Sequence, residues 1–116
     1  MADILTGKRC EPCSGDTPAL TAEEAFRLHE QVTEWEMTSG RKLVRTFELE
    51  DFLDAIDFVN AVADLAEEEG HHPVITIDYD DVTFTVWTHA IGDLSENDFI
   101  LAAKIDELYS GGGEEE

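Results

Sequence analysis

The sequence predicts an α+β fold of two layers, a four-stranded antiparallel sheet with three helices packed on one face. Three observations predict it. Two stretches of apolar–polar alternation flank Asp80-Asp81, as the arms of a hairpin would. Three other stretches carry apolar residues at helical spacing, with cap or stop residues at their ends. The order is helix, two strands, helix, two strands, helix; hairpin-linked strands make an antiparallel sheet, and helices then cover one side of it. The 116 residues fit one compact domain. Residues 1–20, with Pro12, Gly15 and Pro18, read as a loop segment, 21–109 as the folded domain and 110–116 as a flexible acidic tail.

Helix one is expected from Thr21, which has capping-box spacing to Glu24; Ala25, Phe26, Leu28 and Val32 give its apolar side. Trp35 to Met37 reads as a short strand, Ser39-Gly40 as a turn and Leu43 to Leu49 as a second strand. Helix two carries Phe52, Ile56, Val59, Val62, Ala63 and Ala66 at helical spacing, and Gly70 stands where its stop belongs. In the hairpin, Ile75, Ile77 and Tyr79 share the core face with Val82, Phe84 and Val86. Helix three is expected from Ser95, with Asp98 at capping-box distance and Leu101, Ile105 and Leu108 as its stripe.

Seven Lys and Arg face 28 Asp and Glu, a net charge of −21. Phosphate binding needs clustered cations, so nucleic acid and anionic membranes are excluded as general partners. The apolar periodicity argues against disorder; the acids then belong on exposed faces, where salt screens their repulsion, as in a salt-adapted protein. The first residues lack the apolar run of a signal peptide, and no stretch is long enough to span a bilayer, so the expected location is cytoplasmic. Cys10 and Cys13 supply only two of the four ligands of a closed zinc site, and no strand-to-helix unit of a redox motif surrounds them. An ordinary terminal segment is the favoured reading.

Of the four histidines, His71, His72 and His89 fall around the hairpin. If Asp80-Asp81 is the loop, Tyr79 pairs with Val82 and His72 falls opposite His89, with Cβ atoms about 4.5–5.5 Å apart. Pro73 cannot donate a ladder bond, which weakens that register near its base. His71 and His72 also follow the end of helix two. The negative end of the helix dipole favours imidazolium there, as does Glu67 if the chain turns back towards His71. Clustered titratable groups mark functional sites more than isolated ones do. Three histidines could also hold zinc; spacing does not exclude it. His29 reads as an ordinary exposed residue.

Glu67-Glu68-Glu69-Gly70-His71-His72-Pro73 resembles the E-x-x-x-H-H-P signature of pterin-4a-carbinolamine dehydratases. Trp87-Thr88-His89 and Leu94-Ser95-Glu96-Asn97-Asp98 resemble that family's T-H and L-[ST]-x-x-D segments. Residues 99–106, Cys10-Glu11-Pro12-Cys13 and the Trp35 region are similar to its bacterial-type members. Gly92-Asp93 departs from the pattern, which usually has Gly directly before the Leu.

The resemblance implies a hydro-lyase that dehydrates 4a-hydroxy-tetrahydropterin to quinonoid dihydropterin. His71 and His72 would carry most acid–base work, and His89 would bind or orient the pterin. Glu67 and Asp98 would support the histidines; Asp98 has an equal claim as the cap of helix three, and Ser95 reads as a cap. Pro73, Trp87 and Thr88 would line the substrate site; the alternative for Trp87 is to cover the sheet. No metal or organic cofactor is implied, because no electron moves. A homodimer or homotetramer is implied. The alternatives are a non-catalytic dimerisation module of the same fold and a pterin-related role in molybdopterin metabolism.

Overall fold

The computed structural model describes residues 5–10, 18–38 and 41–112. Cys13 and the Ser39-Gly40 turn lie outside them. After a short 3₁₀ turn at Leu5–Gly7 come α1 (Ala22–His29), β1 (Glu36–Thr38), β2 (Lys42–Glu48), α2 (Phe52–Glu69), β3 (Val74–Asp78), β4 (Asp81–Val86) and α3 (Glu96–Glu107), with a π turn at Leu108–Gly112. The sheet is antiparallel in the order β1-β2-β4-β3, and the three helices cover one face. This is the predicted α+β architecture.

The interior lies between the helices and the two central strands. Leu43 and Phe47 of β2 and Val82, Phe84 and Val86 of β4 point into it, and all five are closed to solvent. The Phe47 ring meets Trp35, Phe58, Phe84 and Tyr109 edge-on at 4.8–6.0 Å between centroids. Truncating such a ring costs about 3–5 kcal/mol. Helix α3 is the central helix: Phe99 to Ala103 and Ile105 are all buried. Asp106, on its last turn, accepts from Trp35 Nε1–H and from Arg45, each at 2.8 Å. Burial pushes the Asp106 carboxyl above its ordinary range against the pull of those two donors.

The helix ends follow their cap residues. Thr21 and Glu24 form the expected capping box on α1. Asp51 accepts from the Asp54 amide to open α2, and Gly70 closes it with φ of 69°.

Four expectations change. Phe26 is 68% exposed, because α1 lies on the surface with no fully buried residue. Helix α2 buries Ala55, Phe58, Val62, Ala66 and Glu69, a face rotated from the expected one; Phe52 and Ala63 are exposed. Apolar residues occupy more than one side of this helix, so spacing alone does not select the buried one. His29 is half-buried, its Nε2 2.6 Å from the Trp35 carbonyl oxygen, to which it donates across the α1–β1 turn.

The fourth change concerns the hairpin. Its loop is Tyr79-Asp80, with Asp78 opposite Asp81, so the ladder is displaced from the expected register. Tyr79 takes the positive φ of 58° that the turn requires. The Asp80 carbonyl accepts from the Leu49 amide, which ties the loop to the end of β2. The displacement leaves each strand residue on its expected face, but Ile77 is exposed on the edge strand β3 and Tyr79 is exposed in the loop beyond it.

Candidate active site

The site begins where α2 stops. The amides of Gly70 and His71 both donate to the Ala66 carbonyl, at 2.9 and 3.2 Å, so the chain leaves the helix in a fixed direction. That turn drops the His71 ring inside, where it is 8% exposed. Its Nε2 lies 2.6 Å from Oδ1 of Asp98, on the first turn of α3.

Asp98 is fully buried, and its second oxygen is equally committed. Oδ2 accepts from the Thr88 hydroxyl at 2.8 Å and from the Ser95 amide at 2.9 Å. The Thr88 hydrogen is thereby used, so the Ser95 hydroxyl, 2.7 Å away, donates to Thr88 Oγ1. Asp98 thus caps α3 and holds His71 at once. With Asp98 as a carboxylate, His71 carries its hydrogen on Nε2 and keeps Nδ1 for other chemistry. The Thr88 hydroxyl hydrogen is spent within this network, behind the cavity.

His72 points the other way. Its Nε2 meets Oε2 of Glu67 at 2.7 Å, and both side chains are well exposed. The expected partner of Glu67 was His71; the observed one is His72, because the Gly70 turn takes His71 inward. The expected pairing of His72 with His89 is also absent. The ladder ends at Val74 opposite Thr85, before either histidine is reached. His89 instead stacks on Trp87, with centroids 4.1 Å apart and planes 13° from parallel. The Lys42 ammonium lies 4.2 Å from the Trp87 ring centre. The Gly92-Asp93 departure leaves the loop closed: the Thr88 amide donates to the Asp93 carbonyl at 3.0 Å, and Gly92 adopts a φ of 61°.

All three histidines nevertheless line one cavity of about 420 Å³, with Gly70, Pro73, Val74, Trp87, Thr88 and Ala90 around them. That volume suits one small ligand. The structure therefore gathers His71, His72, His89, Pro73, Trp87 and Thr88 at the cavity, with Asp98 and Glu67 each behind one histidine.

Sequence reasoning missed two features. Ser95 is a cap by its position in the sequence, yet its hydroxyl also completes the network behind Asp98. Glu69, also unforeseen, is buried at the end of α2, where it accepts from the Cys10 amide at 2.8 Å and from Lys104 at 2.7 Å. Burial would raise the Glu69 carboxyl, but the Cys10 amide and the Lys104 ammonium outweigh it and hold it below its ordinary range. Burial first, and then the Glu69 charge, push the Cys10 thiol up to about 12. A thiol so held is a poor nucleophile and a poor metal ligand at neutral pH. Among the described residues, no group of three or more His, Cys, Asp or Glu side chains is placed to hold a metal ion.

A buried histidine–carboxylate pair, an exposed one and a flat aromatic wall surround one small cavity on a two-layer α+β scaffold. Residues 18–108 match the family described as pterin 4 alpha carbinolamine dehydratase. A Methylococcus capsulatus protein bearing the same family name is 50% identical over 105 residues, 90% of this chain and 92% of that one. The Arabidopsis thaliana mitochondrial protein named pterin-4-alpha-carbinolamine dehydratase 2 is 44% identical over 113 residues, 93% of this chain and 60% of that one. A crystal structure from Brucella melitensis, described as a transcriptional coactivator/pterin dehydratase, aligns with a TM-score of 0.74 at 29% identity, covering 78% of this chain and 98% of that one. The chain belongs to the pterin-4a-carbinolamine dehydratase family, enzymes of the hydro-lyase class.

Proposed function

We propose that the cavity dehydrates 4a-hydroxy-tetrahydropterin by histidine acid–base catalysis. The observation that carries this is the convergence of His71, His72 and His89 on one small cavity, with a carboxylate fixing His71. Hydroxide leaves poorly, so the C4a–O bond breaks as an imidazolium protonates the departing oxygen, and water is released. A ring N–H of the pterin gives its proton to a neutral imidazole, which completes the double bond and leaves quinonoid dihydropterin. Each transfer supplies about 10²–10⁴-fold in rate.

His71 and His72 divide the two transfers between them. Asp98 holds the His71 ring in one tautomer, while the exposed His72–Glu67 pair exchanges protons with water. The parallel rings of Trp87 and His89 suit a planar heterocycle, which fits His89 to bind or orient the pterin. The reaction moves no electrons, so these residues act without a metal or organic cofactor. A homo-oligomer belongs to the same proposal: β3 is an edge strand with Val74 and Ile77 exposed, a surface a second copy would cover. The acidic surface goes with a cytoplasmic, salt-rich setting and with no nucleic-acid or membrane partner. No described helix is long and apolar enough to cross a membrane.

A stopped-flow assay with synthetic 4a-carbinolamine, run in high salt, tests the reaction. The wild-type chain should outpace the uncatalysed reaction, and His71→Ala and His72→Ala should each lose most of that advantage. A wild-type chain no faster than the uncatalysed reaction ends the proposal.

A further inference from the structure

Glu69 is a buried carboxylate that the proposed chemistry does not use. Its side chain is 3% exposed and sits on the last residue of α2, where the helix dipole disfavours negative charge. Replacing a buried ion pair by apolar groups is often neutral or stabilising, so overall stability is a weak reason for such a group to be there. Its position offers a better one.

Glu69 stands two residues before His71. Its partner Lys104 is on α3, the helix that carries Asp98. Its other partners, the Cys10 amide at 2.8 Å and Arg9 Nε at 3.3 Å, belong to the segment 5–10. That segment is itself anchored: Leu5 is 1% exposed in the core, and the Leu5 amide donates to Gln31 Oε1 at 3.0 Å. It reaches α3 as well, through Lys8 to Glu96 and through Cys10 Sγ, 3.6 Å from the Asn97 carbonyl oxygen. The segment therefore grips the chain just before His71 and again just before Asp98. The family match begins at residue 18, so residues 5–10 lie outside the stretch it covers.

We propose that Glu69 is a positioning residue for the His71–Asp98 pair, locking the end of α2 to α3 and to residues 5–10. This rests on the dehydratase reading of His71. Glu69 touches no substrate; it acts by fixing the separation of the two segments that carry the pair. The His71–Asp98 bond tolerates little drift, because a misplacement of about 1 Å costs on the order of 10²-fold in rate.

The test uses the full-length chain. Glu69→Leu removes the charge, Glu69→Gln keeps the shape, Lys104→Met removes the partner and Lys104→Arg preserves it. Each variant is measured for melting temperature, for kcat and KM of carbinolamine dehydration, and for the His71 ring nitrogens by long-range 15N–1H correlation. Glu69→Leu and Lys104→Met should stay folded, lose roughly 10- to 100-fold in kcat with little change in KM, and lose the single Nε2–H pattern of His71. Lys104→Arg should keep both. Folded Glu69→Leu with wild-type kcat and wild-type His71 signals overturns the proposal. Should Glu69→Leu fail to fold, Glu69→Gln carries the same expectation and the same overturning result. The ring signals report on positioning whether or not the wild-type chain turns over pterin, so loss of the dehydratase reading and loss of this one are separate results.

Discussion

Nε2 of His71 lies 2.6 Å from Oδ1 of Asp98, and both side chains are buried. Two donors, the Thr88 hydroxyl and the Ser95 amide, already point at the other oxygen of Asp98. Asp98→Asn must therefore keep its amide oxygen towards those donors and turn its NH₂ towards His71. The ring would have to accept there and move its hydrogen to Nδ1. Asp98→Asn should lose about 10²–10⁴-fold in kcat with a smaller change in KM. Its 15N–1H spectrum should show His71 in the other tautomer; an unchanged tautomer would refute this account of the pair.

Glu67 holds His72 through an exposed bond, and an exposed pair is worth about 0–1 kcal/mol. Glu67→Gln should lower kcat by less than about tenfold and leave the melting temperature unchanged. A loss as large as that of Asp98→Asn would show that His72 depends on its carboxylate as strictly as His71 does. Steady-state kinetics of the two variants side by side make the comparison.

The Cys10 thiol, pushed up to about 12, is almost wholly protonated at neutral pH. In a Cys13→Ser background, Cys10 should resist iodoacetamide at pH 8 in the native chain and react once denaturant unfolds it. Mass spectrometry of the alkylated chain reads both states. Rapid labelling of the folded chain would return the redox and metal readings to consideration.

Tyr79 holds a φ of 58° at the hairpin tip, and the residue is 66% exposed. Left-handed backbone costs an L-residue about 1–2 kcal/mol, and glycine escapes the cost. Tyr79→Gly should therefore raise stability by up to about 1 kcal/mol, measured by urea unfolding. A destabilised Tyr79→Gly would mean that the tyrosine ring contributes more in place than its backbone costs.

The net charge of −21 on 116 residues predicts self-repulsion that salt relieves. Raising potassium chloride from the dilute to the molar range should raise the melting temperature by several degrees, about 4–8 °C for each kcal/mol gained. Differential scanning calorimetry over that range checks it, and a flat response would argue that the charges are already compensated.

The fold was largely legible because its signals are local. Thr21 and Gly70 mark helix ends through their own backbone chemistry, and alternation along β3 and β4 fixes which residues face inward. The hairpin register was not legible, since the expected and observed ladders place Ile75, Val82 and Phe84 on the same face. The buried side of α2 was hidden by apolar residues such as Phe52 and Leu53 that stay exposed. For the site, the sequence named the histidines and carboxylates but paired them wrongly. His71 meets Asp98 across 27 residues, a contact that depends on how α3 packs beside the end of α2. Glu69 was hidden among the acids Glu67, Glu68 and Glu69, and its burial depends on how Cys10 and Lys104 pack against the end of α2.

The turn at Gly70 carries one more consequence. A Cβ built there meets no atom within 4 Å, yet the backbone sits at a φ of 69°. The restriction at this position is therefore one of handedness and not of room. Asparagine, which tolerates the mirror-side conformation, should substitute with the least harm, alanine at about 1 kcal/mol and valine at more. The inward aim of His71 is thus decided one residue earlier, by the chirality of the chain itself.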